Sequence, residues 1–88
     1  MFRIRWSREA MDEVTAIHDQ ADEETQQAIS AAIVAMAQRL RESPYQEGES
    51  RGGRRRVTFE PPLSLVFEVG ADEATVSILR VRLYERRS

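Results

Sequence analysis

The side chains of this chain best suited to chemistry are arginines placed at even spacing in its last third. Arg54, Arg56, Arg80 and Arg82 are followed by Tyr84, two residues beyond the last of them. Alternate residues of a strand point to one side of a sheet, so such parity gathers guanidinium groups on one surface. If Val57 and Phe59 face a core, Arg54, Arg56, Thr58 and Glu60 face away from it. Leu63, Leu65, Phe67 and Val69 facing inward leave Ser64, Val66 and Glu68 outside, and inward Leu79, Val81 and Leu83 leave Arg80, Arg82 and Tyr84 outside. Arg3 and Arg5 join the same surface from the N-terminus. Several guanidinium forks on one face suit phosphate, which assigns Arg54, Arg56, Arg80 and Arg82 to nucleic-acid contact. A phenol beside them can transfer a proton or stack on a base. The plainer reading is a solvated face partly neutralised by Glu60 and Glu68, and a bulge within Arg54-Arg55-Arg56 would change which of the three points outward.

The elements that must position these residues are short. Eighty-eight residues make one domain, residues 1–88, with a modest core. Phe2, Ile4 and Trp6 alternate with Arg3 and Arg5, an opening strand with Trp6 as a core anchor. Ser7 suits a helix N-cap, and Ala10, Val14, Ile17 and Ala21 form the apolar stripe of a helix ending near Asp19. Asp22 caps a second helix with the stripe Ile29, Ile33, Met36 and Leu40, stopped at Ser43-Pro44. The polar, glycine-bearing stretch 45–53 reads as a mobile loop. Three strands follow, separated by Pro61-Pro62 and by Gly70-Ala71-Asp72-Glu73. The expectation is an α+β fold, strand-helix-helix-strand-strand-strand, with a helical hairpin on one face of a mostly antiparallel four-stranded sheet. The arginines would occupy the other face.

Composition narrows the chemistry further. Every basic side chain apart from His18 is Arg, for the chain has no Lys, and it has no Cys. Disulfides, Cys-based zinc sites and a lysine base are thereby excluded, and His18 reads as a surface or boundary residue. No metal or cofactor is expected, and no apolar run approaches a membrane span, so a soluble cytoplasmic protein is expected. The formal net charge of -2 is uneven: residues 1–44 hold five Arg against eight acidic residues, and residues 45–88 hold eight against seven. Walker-type phosphate loops, HExxH and a nucleophile elbow are all missing.

In its order of landmarks the chain resembles the RelE/ParE superfamily of type II toxins. The resemblance runs from the opening strand into WSREA, through RLRESP closing the second helix, to PLSLVFEV, an acidic turn and the strand ending VRLY. It implies a toxin held inactive by a cognate antitoxin, and one of two activities. RelE-like members cut messenger RNA on the ribosome without a metal, the ribose 2′-hydroxyl attacking the adjacent phosphate; ParE-like members poison DNA gyrase without chemistry of their own. In the first case Arg56 and Arg82, with Arg80, would neutralise phosphates and Tyr84 would transfer a proton, which makes Arg56, Arg82 and Tyr84 the catalytic candidates. That reading is the primary expectation, with the gyrase inhibitor and a non-toxic antitoxin-binding relic as alternatives and a homodimer open. The sequence departs from the RelE pattern where Ser64 stands at the position of the family's catalytic Arg and where only four residues follow Tyr84. Glu60, Glu68 and Glu85 are its unremarkable candidates for a base.

Overall fold

The computed structural model of the protein describes residues 1–84. Strand β1 (Arg3–Trp6) leads into helix α1 (Arg8–Gln20) and helix α2 (Glu23–Glu42). A single 3-10 turn (Pro44–Gln46) and the two-residue strand β2 (Glu49–Ser50) follow, then β3 (Arg55–Glu60), β4 (Leu63–Val69) and β5 (Thr75–Leu83). The expected element order and two-layer α+β arrangement hold. The sheet has five strands rather than four, ordered β1-β5-β4-β3-β2, with β1 parallel to β5 and the other neighbours antiparallel.

Both helices start where their caps dictate. The Ser7 hydroxyl accepts the Ala10 N–H at 3.0 Å, and an Asp22 carboxylate oxygen accepts the Thr25 N–H at 2.7 Å, satisfying donors that a helix N-terminus leaves without partners. Helix α2 stops at Glu42 because Ser43 precedes Pro44 and leaves helical geometry, at φ -149°. The inward stripe of α2, Ile29, Ala32, Met36 and Leu40, is buried against Leu63, Leu65, Phe67 and Val69 of β4 and Val76, Ile78 and Val81 of β5. Ala10 of α1 closes the same core, with Ile4, Trp6, Val14 and Ile17 packed at its margin. Phe67 is its largest fully buried side chain, and truncating it to Ala would cost about 3–5 kcal/mol.

Two features of the sheet differ from the expected parity. The link Pro61-Pro62 is only two residues long, so Glu60 and Leu63 pair directly, as do Thr58 with Leu65 and Arg56 with Phe67. Since β4 commits Leu63, Leu65 and Phe67 to the core, Arg56, Thr58 and Glu60 lie on the helix side. Thr58 is accordingly buried, and Phe59, expected inside, is 56% exposed on the helix-free face. In β5 the pairing changes step between Val66 and Phe67, where Arg80 opposes Val66 and Ile78 opposes Phe67, leaving Leu79 as the extra residue of a bulge. The inward positions are therefore Val76, Ile78 and Val81, and Leu79 is only half-buried.

Helix α1 takes over the edge of β5 at that bulge. β1 stops pairing at Trp6 with Ile78. Beyond it the Ser7 hydroxyl donates to the Leu79 carbonyl at 3.0 Å, and a Glu13 carboxylate oxygen accepts the Val81 N–H at 2.9 Å. The edge groups of the strand are thereby met by side chains of the neighbouring helix.

Candidate functional site

The arginines expected on one surface divide into four environments. On the helix-free face stand Arg3, Arg5, Arg55 and Arg82, all exposed, as their partners in the sheet ladder require: Thr75, Ser77, Glu68 and Ser64 respectively. Arg3, Arg5 and Arg82 follow the expected parity. Arg55 takes the outward place that the sequence reading gave to its neighbours.

Arg56 corrects that reading. It lies on the helix side, where its Nε donates to the Glu47 carbonyl at 2.9 Å and its Nη2 to the Gly48 carbonyl at 3.1 Å. It thus pins stretch 45–53, expected to be mobile, against the sheet, and that stretch contains β2 and the end of the 3-10 turn. Arg54 is a second correction, for it sits in the turn before β3 and not in the strand. Glu60, expected to neutralise the outer face, instead reaches Arg39 of α2 on the helix side, and Glu47 binds the same guanidinium at 2.8 Å. The Glu47 hydrogen bond, joined by Glu60, raises the pKa of Arg39 above its ordinary value.

Arg80 is exposed at the sheet margin but engaged. Its Nε lies 3.1 and 3.0 Å from the two Glu13 oxygens, and its Nη2 lies 2.8 Å from Oε2. This guanidinium holds the Glu13 carboxyl below the usual range, the Val81 N–H adding to the effect against the opposing cost of burial. A guanidinium spent on such a fork is a poor phosphate ligand, since a phosphate would have to displace a geometrically matched carboxylate.

Tyr84 falls on the expected face. Its ring meets Phe59 with centroids 5.4 Å apart and planes tilted by 56°, and its backbone N–H ties the end of β5 to the Pro62 carbonyl. Phe59 pairs with Ser64, and Ser64 with Arg82, so Phe59, Tyr84 and Arg82 form one exposed patch beside half-buried Val57 and Val66. Of the carboxylates weighed as bases, Glu68 shares this face opposite Arg55, Glu60 is on the opposite side, and Glu85 lies outside the described residues. The sequence reading missed Phe59 and Glu13. The two-residue link at Pro61-Pro62 carried the signal for Phe59, because it fixes which residues of β3 share a face with Leu63; for Glu13 the sequence held no comparable signal.

The chain matches the family model for the ParE toxin of the type II toxin-antitoxin system parDE over residues 4–87. A comparison with curated protein sequences gives no match. Among solved structures, the chromosomal ParDE system of P. aeruginosa superposes with a TM-score of 0.74 at 25% identity, covering 97% of this chain and 98% of that one. The RelBE2 toxin-antitoxin complex of Mycobacterium tuberculosis gives 0.71 at 15% identity, with 93% and 90% covered. The isolated RelE toxin of E. coli gives 0.64 at 16% identity, with 100% and 89% covered; these last two likenesses are of fold. With the helical hairpin on its open sheet and a family match from Ile4 almost to its end, the chain belongs to the ParE toxin family of type II toxin-antitoxin systems, within the RelE/ParE superfamily.

Proposed function

We propose that this toxin acts by binding a protein target, DNA gyrase, and carries out no bond-breaking step of its own. The observation that supports this reading is the dispersal of the arginines. Metal-free cleavage of RNA needs cations converging on one phosphate together with a base and an acid. Here Arg56 is turned to the opposite side of the sheet and bound to two carbonyls, and Arg80 is held by Glu13. Of the three candidates for catalysis, Arg82 and Tyr84 alone share a face, and the central position between them and β3 is Ser64. The partner that restrains such a toxin is proposed to be a cognate antitoxin, as in the ParDE and RelBE2 assemblies, and the site of action is the cytoplasm.

Induction in a bacterial host tests the reading directly. Stalled replication and an SOS response are expected while translation continues, and the purified chain is expected to inhibit gyrase supercoiling. Primer extension on messenger RNA from the induced cells should show no new ends. Ribosome-dependent cleavage that disappears in Arg82→Ala/Tyr84→Phe would instead establish the RelE-like nuclease, which the shared face of those two side chains favours.

A further inference from the structure

The helix-free face has a composition that the fold does not require. Phe59 is 56% and Tyr84 41% exposed although their rings touch, and neither is needed to close the core on the other side of the sheet. Aromatic residues and Arg at the centre of a patch are what protein interfaces favour. The arginines of this face are Arg3, Arg5, Arg55 and Arg82, with Arg80 at its margin held by Glu13; among the described residues none of the first four is in an ion pair, and the acids on the face are Glu68 and, at the edge, Glu49, which faces Arg51 at 3.9 Å. The surface is thus apolar at Phe59 and Tyr84 and positive around them. A second copy of the chain would bring like charges together in a self-complementary contact, which argues against that occupant. Because the guanidinium groups are spread over three strands and not drawn up around one point, they suit carboxylates distributed along a polypeptide better than a single phosphate.

We infer that the Phe59–Tyr84–Arg82 patch is the surface on which the target docks, and that it receives an acidic protein segment bearing an apolar anchor. This inference rests on the protein-target reading above and adds where contact is made and with what chemistry. The ring pair would cover the anchor, and Arg82 would bind a carboxylate beside it, with Arg55 on the flank.

The test uses purified full-length toxin and the DNA gyrase heterotetramer, with binding measured by interferometry and inhibition by supercoiling assay. Phe59→Ala and Arg82→Glu are each expected to weaken binding at least tenfold, while Arg82→Lys loses less and Val34→Ser, on an exposed position of α2, binds as wild type. Unchanged thermal melts confirm that the exposed substitutions leave the fold intact. If wild type inhibits gyrase and Phe59→Ala and Arg82→Glu do so equally well, the docking surface is overturned and the target reading stands. If wild type neither binds nor inhibits gyrase, the target reading falls and takes this inference with it. A homodimer abolished by Phe59→Ala, or RNA binding abolished by Arg82→Glu with gyrase affinity unaltered, also overturns the inference by assigning the patch another occupant.

Discussion

Glu13 joins two parts of the molecule that lie 67 and 68 positions apart in the chain. One carboxylate takes the Arg80 guanidinium and the Val81 N–H, and replacing it by Ala leaves a strand-edge donor to find water. A loss of about 1 kcal/mol is expected, a melting shift of about 4–8 °C for a domain this size. The pH dependence follows from the direction of its shift. Its pKa in the folded state is below the ordinary 4.5, so its stabilisation is complete above that value and disappears as the pH falls through the lower, folded one. Thermal melts of wild type and Glu13→Gln between pH 7 and pH 3 check this: the variant should be less stable at pH 7, and the difference should shrink towards pH 3. Arg39 presents the reverse case, a cation shared by Glu47 and Glu60. Arg39→Met leaves two carboxylates without their common partner and should cost about 1 kcal/mol, solvent having already screened the partly exposed guanidinium. That loss should be smaller when Glu47→Gln is present as well.

The elements differ in how far their sequences determine them. Stretch 45–53 reads as a polar loop, yet Gly48 is bound into it by a close approach: a Cβ there would lie 1.9 Å from the Val57 oxygen and 2.8 Å from the Thr58 Cβ, at φ +67°. Gly48→Ala should therefore destabilise by at least about 2 kcal/mol and release amide protection at Ser50 and Val57 in hydrogen exchange. Gly52→Ala, where φ is +94° but nothing lies within 4 Å, should cost about 1 kcal/mol. The helices, their caps and the Pro44 stop were legible because each is a local rule written in adjacent residues. The inward set of β4 was legible too, since Leu63, Leu65, Phe67 and Val69 alternate without exception. What failed in β3 was a local reading of a non-local fact. Val57 and Phe59 look like an inward pair by themselves, but the tight link to β4 sets the phase, and the stronger apolar alternation of β4 decides which strand yields. The β5 bulge is less legible still, for it is accommodated by Ser7 at Leu79 and by Glu13 at Val81, 72 and 68 positions away. The candidate site inherited the β3 error and not the β5 one. Arg82 and Tyr84 lie after the bulge and keep their expected face, whereas Arg56 depended on the phase of β3 and lost it.

At the scale of the whole molecule, the two layers carry different charge. The helices hold Glu9, Asp12, Glu13, Asp19, Glu23, Glu24 and Glu42 against Arg8, Arg39 and Arg41, while the free sheet face is dominated by Arg3, Arg5, Arg55 and Arg82. A net charge of -2 hides this asymmetry, which gives the molecule an electrical direction. An approaching acidic surface is turned towards the sheet and repelled from the helices, an orientational bias that raises the rate of encounter. Charges beyond the contact itself contribute while they lie within a Debye length, about 10 Å at 0.1 M salt. If gyrase is the target as proposed, association should slow by roughly an order of magnitude from low to high salt, with dissociation, governed in that proposal by the aromatic contact, changing much less. Arg3→Glu/Arg5→Glu, at the far side of the face from Tyr84, should reproduce the slower association at low salt and flatten its salt dependence without altering dissociation. Stopped-flow or interferometric rates at several salt concentrations read both quantities. An association rate indifferent to salt in wild type would mean that the layered charge plays no part in finding the target, and that contact is made through apolar surface alone.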